Sequence, residues 1–104
     1  EIGDGPPLCV LENHSYTTRY RQLAAGEWLC VLTDGVTEAM NSDCRLYGIE
    51  RVEAVLRGLA DSAEPEDIIR AVHDSVQQFV HEAHASDDLT LLCLRWRGTA
   101  LSAR

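Results

Sequence analysis

The sequence predicts an α+β domain, and three stretches carry the prediction. Residues 28–33 and 89–96 are apolar runs of strand length, and two stretches between residues 48 and 83 repeat their apolar positions at helical spacing. The expected order is strand, strand, helices, strand, with antiparallel strands and the helices grouped on one face.

Gly3, Gly5, Pro6 and Pro7 open the chain as a loop, because glycine and proline resist regular elements. A short apolar piece follows at residues 8–11. Residues 15–23 alternate in part, with Tyr16, Thr18 and Tyr20 on one side and Thr17, Arg19 and Arg21 on the other, which predicts a strand. Ala25-Gly26 reads as a turn. The run Trp-Leu-Cys-Val-Leu-Thr at 28–33 suits a strand covered on both faces. It ends at Asp34-Gly35, followed by a short helical piece near residues 36–40 and a loop at 41–44.

Ile49, Val52, Leu56 and Leu59 share one face of a helix over residues 48–59. Glu50, Arg51, Glu53 and Arg57 read as its solvated face with charge pairing one turn apart. Pro65 fits a first helical turn, where Glu66 and Asp67 suit the positive end of the helix. That second helix is expected from residue 65 to about 83, with a stripe of Ile69, Val72, Val76, Phe79 and Val80 and with Ile68 alongside. Residues 89–96 form the last strand, and 98–104 a loose tail.

Composition is that of a globular protein, 45% hydrophobic and 25% charged, with a net charge of −8 that disfavours nucleic acid as a partner. No apolar run has the length of a membrane span, and no signal peptide opens the chain. The cysteines Cys9, Cys30, Cys44 and Cys93 include no Cys-x-x-Cys pair. They are expected to be free thiols, buried or half-buried, in a reducing cytoplasm. His73, His81 and His84 read as solvated helix positions and His14 as a loop residue. Trp28 and Trp96 are expected to pack in the core or at an edge, and Arg19 and Arg21 to lie on a solvated strand face.

The acids at the strand ends carry the chemical signal. Asp34 closes the most apolar strand, and Asp87 and Asp88 precede the last one. If those strands are antiparallel neighbours, the carboxylates share one edge, where they repel unless a cation joins them or one takes a proton. Oxygen-only ligands select Mg²⁺, Mn²⁺ or Ca²⁺, and paired ions of that kind can activate a water and clamp a phosphoryl group. The alternatives are that Asp-Gly is merely a turn and that Asp87 or Asp88 caps a helix or starts a strand.

Leu-Thr-Asp-Gly-Val-Thr-Glu-Ala at 32–39, Leu-Tyr-Gly at 46–48 and Ser-Asp-Asp-Leu-Thr-Leu-Leu at 86–92 resemble the C-terminal half of the SpoIIE-type branch of the metal-dependent PPM (type 2C) serine/threonine protein phosphatases. Gly5-Pro6-Pro7-Leu8 matches the loop that precedes these segments. The resemblance covers residues 3–98, and it places a C-terminal portion of the phosphatase domain at 1–98 and the tail at 99–104. It implies an αββα sandwich of antiparallel sheets with flanking helices, and hydrolysis of phosphoserine and phosphothreonine with paired Mn²⁺ or Mg²⁺. It further implies that Asp34 and Asp87 are metal ligands, with Asp88, Glu38 and Gly35 beside the site and no catalytic group apart from the ligands.

The sequence departs from that family in two places. Cys9 stands where the early loop has glycine. The Asp-x-x-Gly-His-Gly segment that brings the bridging aspartate is not in this sequence, which opens at Glu1 and reads as a piece of a longer chain. Metal affinity and turnover of this chain alone are therefore expected to be weak or absent. The substrate would be a phosphoprotein in bacterial signalling, such as an anti-sigma-factor antagonist, and an exposed sheet edge would favour a homodimer. The competing reading is a non-catalytic interaction module with a degenerate phosphatase fold.

Overall fold

The computed structural model describes residues 5–81, 83 and 88–99. They form a mixed α+β unit of three helices and a two-stranded antiparallel sheet, in the order β1 (Trp28–Leu32), α1 (Asp34–Thr37), α2 (Ile49–Arg57), α3 (Pro65–Val80) and β2 (Leu91–Arg95). The two strands pair in the register Trp28↔Arg95, Leu29↔Leu94, Cys30↔Cys93, Val31↔Leu92 and Leu32↔Leu91.

The helices form where the apolar spacing predicts them. In α2 the stripe buries Val52 and half-buries Ile49, Val55 and Leu56. Proline opens α3, and the amide of Glu64 donates to the Asp67 carboxylate at 2.9 Å, supplying a capping interaction for the first turn. Val72, Val76 and Val80 then pack with Val36, Tyr47 and Val52 into one core. Leu32, Leu89 and Leu91 join that core from the sheet side. Each fully buried aliphatic side chain stabilises by about 1.5–3 kcal/mol relative to exposure, so this cluster holds the helices to the sheet.

The structure corrects several expectations. Residues 15–23 form no strand, and residues 8–13 turn rather than continue the apolar piece. Alternation prepares a segment for a sheet, but a strand needs a ladder partner, and the described residues offer this one none. The apolar run at 28–32 is covered on one face only: Leu29, Val31, Leu92 and Leu94 stay 48%, 52%, 64% and 52% exposed. In α3 it is Ile68 that is fully buried, whereas Ile69 lies at the surface, because the helix is rotated to seat Ile68, Val72 and Val76 inward. That helix ends at Val80, where His81 takes a positive φ of 52°. Cys9 and Cys44 are exposed rather than buried, each in a turn with positive φ.

Arg51 also departs from the expected charge pairing. Its guanidinium donates to the carbonyls of Leu46 and Tyr47 and lies 4.4 Å from the Phe79 ring centroid, while Arg57 and Glu53 make the one-turn pair. Trp28 is half-buried and Trp96 more exposed, so both sit at the margin of the packing. Arg19 and Arg21 are exposed, although not on a strand. His84, Asp87 and the end of the tail lie outside the described residues. No described helix is long and apolar enough to cross a membrane.

Candidate metal-binding lip of the sheet

The sheet's register brings the two acidic segments together. Beyond the Leu32↔Leu91 pair the ladder continues, with the Thr33 amide donating to the Thr90 carbonyl at 3.1 Å. Three places past Leu32↔Leu91, the same register sets Gly35 opposite Asp88. The main chains meet there, and the Asp88 carbonyl oxygen occupies the space a Cβ on residue 35 would need. Glycine at 35 is thus required by close approach: a side chain would drive apart the two segments that carry the acids.

Asp34 opens α1, the four-residue helix that turns the chain away from the sheet. The Asp34 carbonyl accepts the Glu38 amide at 2.7 Å, and its carboxylate is exposed. The following segment is clamped from the Leu-Tyr-Gly sequence at 46–48. The Tyr47 amide donates to the Ala39 carbonyl at 2.7 Å, and the Gly48 amide donates to the Thr37 carbonyl at 2.8 Å. Tyr47 is 1% exposed, its hydroxyl lies 2.6 Å from the Ser75 Oγ of α3, and its ring meets Phe79 edge-on. Tyr47 therefore ties the turn bearing Asp34 to the longest helix, and Gly48 makes the positive-φ bend (81°) that starts α2.

Of the sequence-predicted site residues, Asp34, Gly35 and Asp88 meet at one lip. Glu38 is exposed at the C-terminal end of α1. Asp87, the second expected ligand, lies outside the described residues, one place before Asp88. Carboxylate and carbonyl oxygens fit the hard-cation preference of Mn²⁺ and Mg²⁺. Among the described residues no group of three His, Cys, Asp or Glu side chains is gathered to hold a metal. The residues present thus fit such an ion in donor chemistry and offer part of a ligand set.

Neither the role of Tyr47 as the clamp of this turn nor the pairing of Cys30 with Cys93 was evident from sequence. The first had a signal in the Leu-Tyr-Gly motif itself. The second had one in the central position of each cysteine within its apolar run.

Neither the curated proteins nor the solved structures compared with this chain include a match. The family model described as Stage II sporulation protein E (SpoIIE) matches residues 1–97. With acidic segments held at one lip by a glycine contact, and with that match spanning nearly the whole sequence, the chain belongs to the SpoIIE family of PP2C-type phosphatase domains.

Proposed function

We propose that the chain supplies part of the active site of a metal-dependent phosphoserine and phosphothreonine protein phosphatase, with Asp34 and Asp87 as ligands of Mn²⁺ or Mg²⁺. The observation that supports this reading is the packing of Gly35, next to Asp34, against the carbonyl of Asp88, the residue that follows Asp87 in sequence. Membership of a PP2C-type family supports it independently. When bound, the metal supplies charge neutralisation and water activation for phosphoryl hydrolysis. The protein's share is to fix where the carboxylates stand: Gly35 sets the spacing, Tyr47 holds the turn, and Glu38 and Asp88 add negative charge nearby.

In this reading the apolar face of Leu29, Val31, Leu92 and Leu94 is where the second sheet of an αββα sandwich packs. The substrate is a phosphoprotein of bacterial signalling, such as an anti-sigma-factor antagonist. Two carboxylates leave most of a metal's coordination shell to water, so this chain alone binds metal weakly and turns over little or no phosphopeptide.

Calorimetric titration of Mn²⁺ into the wild type and Asp34→Ala tests the assignment. The wild type gives a weak saturable heat. The variant loses affinity by more than about tenfold, because even groups that merely orient ligands are typically worth 10–100-fold. Equal heats from both proteins would sink the metal role of Asp34 and favour a non-catalytic interaction module.

A further inference from the structure

Cys30 and Cys93 face each other across the sheet, each at the centre of its strand. Their Sγ atoms are 3.1 Å apart, and both are free thiols. Their place in the ladder matters. The Trp96 amide donates to the Glu27 carbonyl and the Thr33 amide to the Thr90 carbonyl, so those two pairs are hydrogen-bonded positions. Pairs alternate along an antiparallel ladder, which makes Cys30↔Cys93 a non-hydrogen-bonded pair. Such pairs bring Cα atoms to about 4.5 Å, inside the range of roughly 4.4–6.8 Å that a disulfide spans.

We propose that Cys30 and Cys93 form a reversible cross-strand disulfide by exchange with a low-molecular-weight disulfide of the oxidised-glutathione class. The chemistry balances as two exchanges. A Cys30 thiolate attacks the small disulfide, expels one thiolate and leaves a mixed disulfide on Cys30. Cys93 then loses its proton and attacks the Cys30 sulfur, which closes the protein bridge and releases the second small thiol. In sum, one small disulfide is reduced to two thiols and two cysteine thiols are oxidised.

Access and order follow from the surroundings. A groove of about 600 Å³ lined by Leu23, Trp28, Leu56 and Cys30 itself opens onto the Cys30 side of the pair. Burial and the neighbouring Cys30 push the Cys93 thiol up to about 12, which disfavours it as the first attacker, and only its place 3.1 Å from the Cys30 Sγ serves the second step. Thiol–disulfide exchange runs in both directions, so the bridge opens again when the reduced small thiol predominates. Once closed, it fastens β1 to β2 in the register that brings Gly35 to Asp88. It does not depend on the phosphatase reading, since no metal or substrate enters it.

The test uses the full chain with Cys9→Ser and Cys44→Ser, which removes the two exposed thiols. The protein is equilibrated with a fixed ratio of oxidised to reduced glutathione, in native buffer and in urea, then acid-quenched and mapped by mass spectrometry. The expected result is a mass loss of two hydrogens, a linked pair of peptides carrying Cys30 and Cys93, and a bridged fraction several-fold higher in native buffer than in urea. The bridged form also has a higher denaturant midpoint, which falls back on adding reductant. A native bridged fraction no higher than in urea overturns the proposal. So does persistence of glutathione adducts on either cysteine without a bridge.

Discussion

The two faces of the sheet are about equally apolar and have opposite fates. On one face Trp28, Cys30, Leu32, Leu91, Cys93 and Arg95 are half-buried; on the other Leu29, Val31, Leu92 and Leu94 are exposed. Hydrophobic content does not separate them, since the covered face even carries an arginine. The difference is what lies above each. The covered face has α2 and α3, and its arginine has partners there: Arg95 donates to the carbonyls of Ala63 and Asp61 and pairs with Glu64 at the start of α3. The open face has no helix over it among the described residues. Burial is a property of pairs of surfaces, and only a charged residue with partners can substitute for an apolar one under cover.

The largest effect should come from beneath the covered side. Ile68 is completely buried. Ile68→Ala should cost about 2–5 kcal/mol of unfolding free energy, read by urea denaturation. A cost like that of a surface change would mean that α3 is not packed as described.

Next comes the lip of the sheet. Gly35→Ala has to displace the Asp88 main chain and should cost about 1–3 kcal/mol in the same assay. Because the strain falls on the segment beside Asp87, Mn²⁺ heat should weaken as well. Wild-type stability and metal affinity in this variant would break the link between the two acidic segments.

A smaller effect, absent near neutrality, concerns Cys93 on the covered face. Its thiol is raised from an ordinary 9.0 to about 12 in the folded chain, first by burial and then by Cys30. Below pH 9 both folded and unfolded chains keep this proton, and the advantage of the protonated folded form is fully present. Above it the unfolded chain releases the proton first, so stability falls as pH rises from about 9 towards 12. Cys93→Ser should flatten that part of the stability profile, measured by denaturation at a series of alkaline pH values under reducing conditions. An unchanged slope would show that the thiol is not shielded.

The smallest effect belongs to the open face. Leu94→Ser should change stability by no more than about 0.5 kcal/mol, as surface substitutions usually do. A large loss would show that the face is covered in solution. Sedimentation of the wild type would then tell a second copy from an intramolecular cover.

Much of the fold could be read directly from residue spacing. The valines of α3, the proline and acids at its start, and the two apolar strands all declare themselves, because helical and strand periodicities are local. The failures have one cause. Residues 15–23 alternate like a strand yet find no ladder, and Ile69 belongs to the stripe by spacing yet yields its place to Ile68. In each case the deciding contact comes from elsewhere in the chain. The candidate site divides the same way. Asp34 and Asp87 stand out as acids at strand ends, but the reason Gly35 is glycine lies in a main chain far along the sequence.

The sequence by itself determined the two apolar strands, the helices between them and the kinds of side chain at the strand ends, since these depend on near neighbours and residue chemistry. Only the tertiary structure decided which sheet face is covered, that Cys30 stands against Cys93, and that Gly35 touches Asp88. Those follow from one antiparallel register, and a register is a relation between distant segments that no local pattern encodes.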